Sequence, residues 1–124
     1  MAGLRNGVRR FQRVITTPDA PVLAEVAMLG SQPLPVGDIS EGGMELQYSG
    51  PELVYVDAML AVVVKLPPKT VVRANVSVRH LDPTRIGVAF IDLPPAGCQA
   101  IRLYMYRNAA KRSLWNRLRQ LWQG

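Results

Sequence analysis

Two short clusters hold the residue types that could do chemistry. The first is NGVRRFQRV, Asn6 to Val14, where Arg9, Arg10 and Arg13 crowd together with no acid nearby. Positive charge concentrated in this way is either a solvated leader or a clamp for an anion. The second is DISEGG, in which Asp38, Ser40 and Gly43 fall at a junction between two apolar runs. Asp and Ser bond to local backbone at turns and Gly supplies positive φ, so this stretch alone reads as turn chemistry as readily as a site. Enzymatic machinery has little to draw on. His80 is the only histidine and Cys98 the only cysteine, so no Ser/His/Asp, Cys/His or metal-ligand set can be assembled. The acids are scattered singly, and no GxxxxGK phosphate loop occurs. The chain is therefore expected not to be an enzyme, with no catalytic residue, no metal and no cofactor.

The elements that would position these clusters follow from composition and pattern. With 124 residues, 48% hydrophobic and 19% charged, the chain is expected to fold as one domain with a modest core. Its longest apolar run, AMLAVVV, is far short of the ~20 residues of a spanning helix. No apolar stretch follows the early arginines as a secretory signal would, and a lone cysteine forms no internal disulfide. A bacterial-type cytoplasmic setting is the expectation. The net charge of +6 is unevenly divided. Residues 1 to 13 carry four basic groups and 102 to 119 carry six, both without an acid, whereas the middle carries five against nine acids. An acidic body with basic ends is not the footprint of a nucleic-acid-binding surface, which spreads over the folded domain.

Residues 1–16 show no sustained periodicity and read as a flexible, Arg-rich tail. From there to residue 94, short apolar or alternating runs are punctuated by turn residues. The runs are VLAEVAML (Val22 to Leu29), LPVGDIS, GMELQY, the valine-rich AMLAVVVKL, which reads as a buried strand, TVVRANVSVRHL and RIGVAFIDL. In TVVRANVSVRHL, Val72, Ala74, Val76 and Val78 are expected inside, against Arg73, Asn75, Ser77 and Arg79 outside. Six such strands predict an all-β antiparallel barrel or sandwich. Residues 95–124 change period. Ile101, Met105, Leu114, Leu118 and Leu121 fall near helical spacing, predicting one or two amphipathic basic helices with a break near Asn108.

Taken together and in this order, the clusters resemble the PilZ domain family. Arg9 and Arg13 match the family's RxxxR tail. Asp38, Ser40 and Gly43 match its (D/N)xSxxG turn, with Met44 and Leu46 at the apolar positions after it. RIGVAFIDL, with Gly87 and Phe90, is similar to its closing strand. The resemblance implies a six-stranded antiparallel split barrel with a C-terminal helix, acting as a receptor for cyclic di-GMP, a bacterial second messenger. It implies that Arg9 and Arg13 contact phosphate and guanine, for which planar forked guanidinium donors are suited. It further implies that Asp38 accepts from guanine N–H groups, that Ser40 adds a polar contact, and that Gly43 keeps a Cβ out of the site. Arg10 is either a third contact, to the other guanine, or solvated. Val8 stands where an arginine accompanies binding of a stacked ligand pair, which leans toward a single ligand.

Ligand capture is expected to order the tail and alter a surface read by an effector protein. The output (motility, biofilm, exopolysaccharide, pili or virulence) is left open. Trp115 and Trp122 share a face with Leu114, Leu118 and Leu121. This stripe would pack on the barrel or on a second copy as a homodimer, or dock to a partner or an anionic membrane surface through Lys111, Arg112, Arg117 and Arg119. Two alternatives stand beside the receptor: a PilZ-like scaffold working by protein contacts without ligand, and a small nucleic-acid-binding barrel. The second lacks the aromatic platforms that base stacking needs, and no nucleic-acid polymer is expected as partner.

Overall fold

In the computed structural model the structure describes residues 14–16 and 20–108. Arg9, Arg10 and Arg13, the tail up to Arg13 and the expected helical stripe after Asn108 lie outside the described residues. Seven strands run in chain order: β1 (Val14–Ile15), β2 (Leu23–Glu25), β3 (Leu34–Ile39), β4 (Gly43–Gln47), β5 (Met59–Leu66), β6 (Thr70–Asp82) and β7 (Arg85–Asp92). All pairings are antiparallel. The order β3-β2-β5-β6-β7-β4 closes on itself through the β3–β4 pairing, giving the expected six-stranded barrel. β1 is an addition that sequence periodicity did not disclose. It pairs with β3 beyond the reach of β2, Val14 opposite Ile39 and Ile15 opposite Asp38.

A closed barrel has one interior, so each strand must divide its side chains between core and outside. β5 shows why the valine-rich run misleads. Leu60, Val62, Val64 and Leu66 point inward and are buried, whereas Met59, Ala61 and Lys65 are exposed. The run was expected to be wholly buried; only alternate residues are. β6 alternates as expected over Val72, Ala74, Val76 and Val78, except that Ser77 is buried on the outer side between its cross-strand partners Met59 and Ala89.

The first strand is much shorter than Val22 to Leu29. After Glu25 the chain leaves the sheet for a 3-10 turn, Ala27–Leu29, which buries Val26 and Leu29 and reverses at Gly30 with φ 122°. That turn sits beside β5, which β2 pairs only from Val63 to Lys65.

β3 contains a bulge between Val36 and Asp38. Without it, Val36 and Ile39 would face opposite sides; the extra residue at Gly37 puts both inside and turns Asp38 to the outer wall.

The single described helix, α1, covers residues 95–108. Pro95 opens it where a missing N–H costs nothing, and Cys98 N–H closes the first turn on the Pro94 carbonyl at 2.9 Å. Ile101, Tyr104, Met105 and Asn108 form the stripe toward the barrel, Ile101 fully buried. The Tyr104 hydroxyl donates to the Ala20 carbonyl at 2.8 Å, and Gly97 lets α1 settle onto Val72. No described helix is long and apolar enough to cross a membrane.

Candidate ligand-binding site

The DISEGG stretch is the β3–β4 connection at the end of the barrel that α1 covers. Its core is Ser40, 1% exposed. The Ser40 N–H donates to the Gly43 carbonyl at 2.8 Å, closing the turn. The Ser40 hydroxyl accepts the N–H groups of Gly42 (3.1 Å) and Gly43 (3.3 Å) and donates to the Gly43 carbonyl (3.4 Å). One donor and two lone pairs are all that a hydroxyl has, so these bonds use the side chain fully. The expected polar contact from Ser40 to a ligand thus competes with the turn itself.

Gly43 is also explained differently from the expectation. Its φ is not positive; Gly30 supplies the positive-φ glycine among the described residues. A Cβ on Gly43 would instead collide with the carbonyl oxygen of Val88 and stand 3.1 Å from Ala89 Cα. The requirement comes from the close approach of β4 to β7, where Gly43 pairs with Ala89.

Asp38 is half-buried on the outer wall, between Ile15 of β1 and Glu45 of β4 in register. β1 therefore brings the chain into the sheet beside the motif, and Val14, the residue bonded to Arg13, is held opposite Ile39. Glu45 pairs loosely with Arg85 at 3.6 Å, and Arg85 also reaches Asp82 at 3.3 Å.

Three residues absent from the sequence-level site complete the turn. The Glu41 carboxylate accepts Arg102 Nε at 2.7 Å and the Cys98 thiol at 3.7 Å, both from α1. The Glu41 hydrogen bond and charge raise the Arg102 pKa further above its ordinary value. Arg102 carried no motif signal; only the fold brings it 61 residues back to Glu41. His80 lies on β6, exposed, 3.5 Å from Asp82 and away from Cys98. Among the described residues no group of three or more His, Cys, Asp or Glu could hold a metal ion. A concavity of about 700 Å³ lies over Ala61, Val63, Arg73 and Asn75, and Asp38, Ser40 and Gly43 do not line it. The candidate site is a half-buried turn and the outer wall beside it, suited to a ligand gripped from two sides.

Comparison with known proteins agrees with this architecture. The PilZ domain of YcgR from Escherichia coli, solved with c-di-GMP, is similar over 84% of this chain and 93% of that one, with 15% identity and a TM-score of 0.68. MotI/DgrA of Bacillus subtilis, an inhibitor of motility, has 16% identity and a TM-score of 0.68 over 83% of this chain. Escherichia coli YcgR in complex with c-di-GMP has 16% identity and a TM-score of 0.67 over 91%. The chain spans about half the length of MotI/DgrA and of that YcgR chain, at 51% and 50%. No curated protein matches in sequence. The PilZ domain family model matches residues 8–107, a span that takes in the barrel, the motif turn and nearly all of α1, and the chain belongs to the PilZ domain family.

Proposed function

We propose that this PilZ domain is a receptor for cyclic di-GMP, bound between the arginines before β1 and the outer side of the β3–β4 turn. The observation that supports the reading is the β1 register: Val14, next in sequence to Arg13, pairs with Ile39 and Ile15 with Asp38, so the described chain enters the sheet beside the DxSxxG turn. The PilZ domain of YcgR, a structural neighbour covered over 93% of its chain, was solved with c-di-GMP. Arg9 and Arg13 supply forked donors for phosphate and guanine O6/N7, with Arg10 available for the second guanine. Asp38 accepts from the guanine N–H edge. Ser40 and Gly43 act by holding the turn in shape. Two or three charge-assisted contacts suffice for micromolar binding, about −8 kcal/mol.

Ligand capture orders residues before β1 against the turn at a backbone cost of about 1–2 kcal/mol per residue fixed, and so remodels the surface offered to an effector protein. Calorimetric titration with cyclic di-GMP tests this, with a single-stranded oligonucleotide as the competing ligand at two salt concentrations. Arg13→Ala is expected to abolish cyclic di-GMP binding and leave the melting temperature of the free protein unchanged. A wild-type chain that ignores the dinucleotide and still engages a partner protein would reassign it as a ligand-free scaffold.

A further inference from the structure

The motif turn already holds a cation that neither short motif contains. Arg102 comes from α1 and is anchored to Glu41 through Nε, at 2.7 Å. Anchoring at Nε leaves the two terminal amino groups of the guanidinium, a pair able to fork onto a phosphate, without a hydrogen-bonded carboxylate among the described residues. Glu41 is the anionic partner of Arg102 among the described residues, and the Arg102 side chain is 62% exposed beside the turn. The charges point the same way. Glu41 would confront a dianionic ligand with a carboxylate, and Arg102 cancels it.

We propose that Arg102 is a further ligand-binding arginine of this site, donating to a phosphate of the cyclic dinucleotide through its terminal amino groups while Glu41 orients it. The inference rests on the receptor reading above. It joins the ligand to α1 as well as to the barrel, so occupancy is felt at the start of the basic C-terminal segment.

Calorimetric titration of the full chain with cyclic di-GMP, beside thermal melts of each variant, separates direct contact from simple charge masking. Arg102→Gln is expected to weaken binding roughly ten-fold, the scale of one exposed charge-assisted hydrogen bond. Glu41→Gln loses less, because the guanidinium remains but is no longer aimed. In the double variant Glu41→Gln/Arg102→Gln the unmasked carboxylate is gone, yet binding is expected to stay several-fold weaker than wild type. Wild-type affinity in that double variant, or in Arg102→Gln alone, overturns the proposal while leaving the receptor reading intact. If Arg102→Gln melts early, Arg102→Lys carries the test, since an ammonium cannot hold Glu41 and fork onto a phosphate together; native melting with full affinity would overturn it. Absence of binding by the wild-type chain refutes the receptor reading itself, and the role of Arg102 with it.

Discussion

Gly43→Ala tests whether the family's glycine serves the fold or the ligand. A Cβ at this position meets the Val88 carbonyl oxygen, Ala89 Cα at 3.1 Å and Val88 C at 3.2 Å. All three are main-chain atoms of β7, so no rotamer change relieves the contact. The strands must part, along a ladder running from Gly43–Ala89 to Gln47–Arg85. Overpacking ordinarily costs about 1–3 kcal/mol, and a collision with backbone inside a closed barrel belongs at the upper end. At roughly 4 °C per kcal/mol for a chain of this length, the melting temperature should fall by about 8–12 °C. Gly37→Ala is the control, because its Cβ would meet Gln47 Nε2 and Glu45 Oε1 at an ordinary 3.5 Å and the Glu45 carbonyl oxygen at 3.9 Å. Circular dichroism melts of the ligand-free proteins give the readout, followed by cyclic di-GMP titration well below the transition. A Gly43→Ala protein that melts with wild type but no longer binds would refute the argument and hand the glycine to the ligand.

Other positions give equally direct expectations. Ser40→Ala leaves the N–H groups of Gly42 and Gly43 without their acceptor and should cost about 1–3 kcal/mol in chemical denaturation; an unchanged midpoint would show that water replaces the hydroxyl. Ile101→Ala removes a fully buried side chain from under α1 and should cost about 2–5 kcal/mol, with near-wild-type stability refuting the docking of the helix on the barrel. The Asp82 carboxyl should titrate below its ordinary 3.8, because the Thr84 N–H bonds to it, helped by the Thr84 hydroxyl and Arg85. A depressed folded pKa gives stability that is present above the unfolded value and lost as pH falls through the folded one, so the β6–β7 hairpin loosens only in strong acid. An NMR titration midpoint for Asp82 at or above 3.8 would contradict this.

Much of the barrel was legible because alternation in TVVRANVSVRHL and RIGVAFIDL is a direct image of a wall with one wet side. The misses share a cause. VLAEVAML reads as one strand, but Val26 and Leu29 are buried by a 3-10 turn rather than by sheet. AMLAVVVKL reads as buried on both faces, though hydrophobicity on an outer wall, as at Met59 and Ala61, needs no burial at all. β1 escaped notice because a two-residue strand has no period to detect. At the site, DISEGG announced a turn, but apolar and polar patterning cannot reveal that Arg102 returns to Glu41, since that contact depends on where α1 crosses the barrel.

The division of labour inside the motif follows from hydrogen-bond capacity and space. A buried serine whose donor and lone pairs are all engaged by its own turn has nothing further to offer, and a glycine pressed against a neighbouring strand is there for that strand. Both residues recur in the family's signature without needing to touch anything outside the barrel. What they secure is placement: the turn is built from within, so Asp38 and Glu41 are held at fixed positions before any ligand arrives. On the proposed receptor reading, the ordering cost of binding falls on the segment before β1, where Arg9 and Arg13 reside. A receptor arranged this way gains selectivity from the rigid side and sensitivity from the other. Substitutions at Ser40 or Gly43 should therefore lower binding and melting temperature together, and those at Arg9 or Arg13 should lower binding alone.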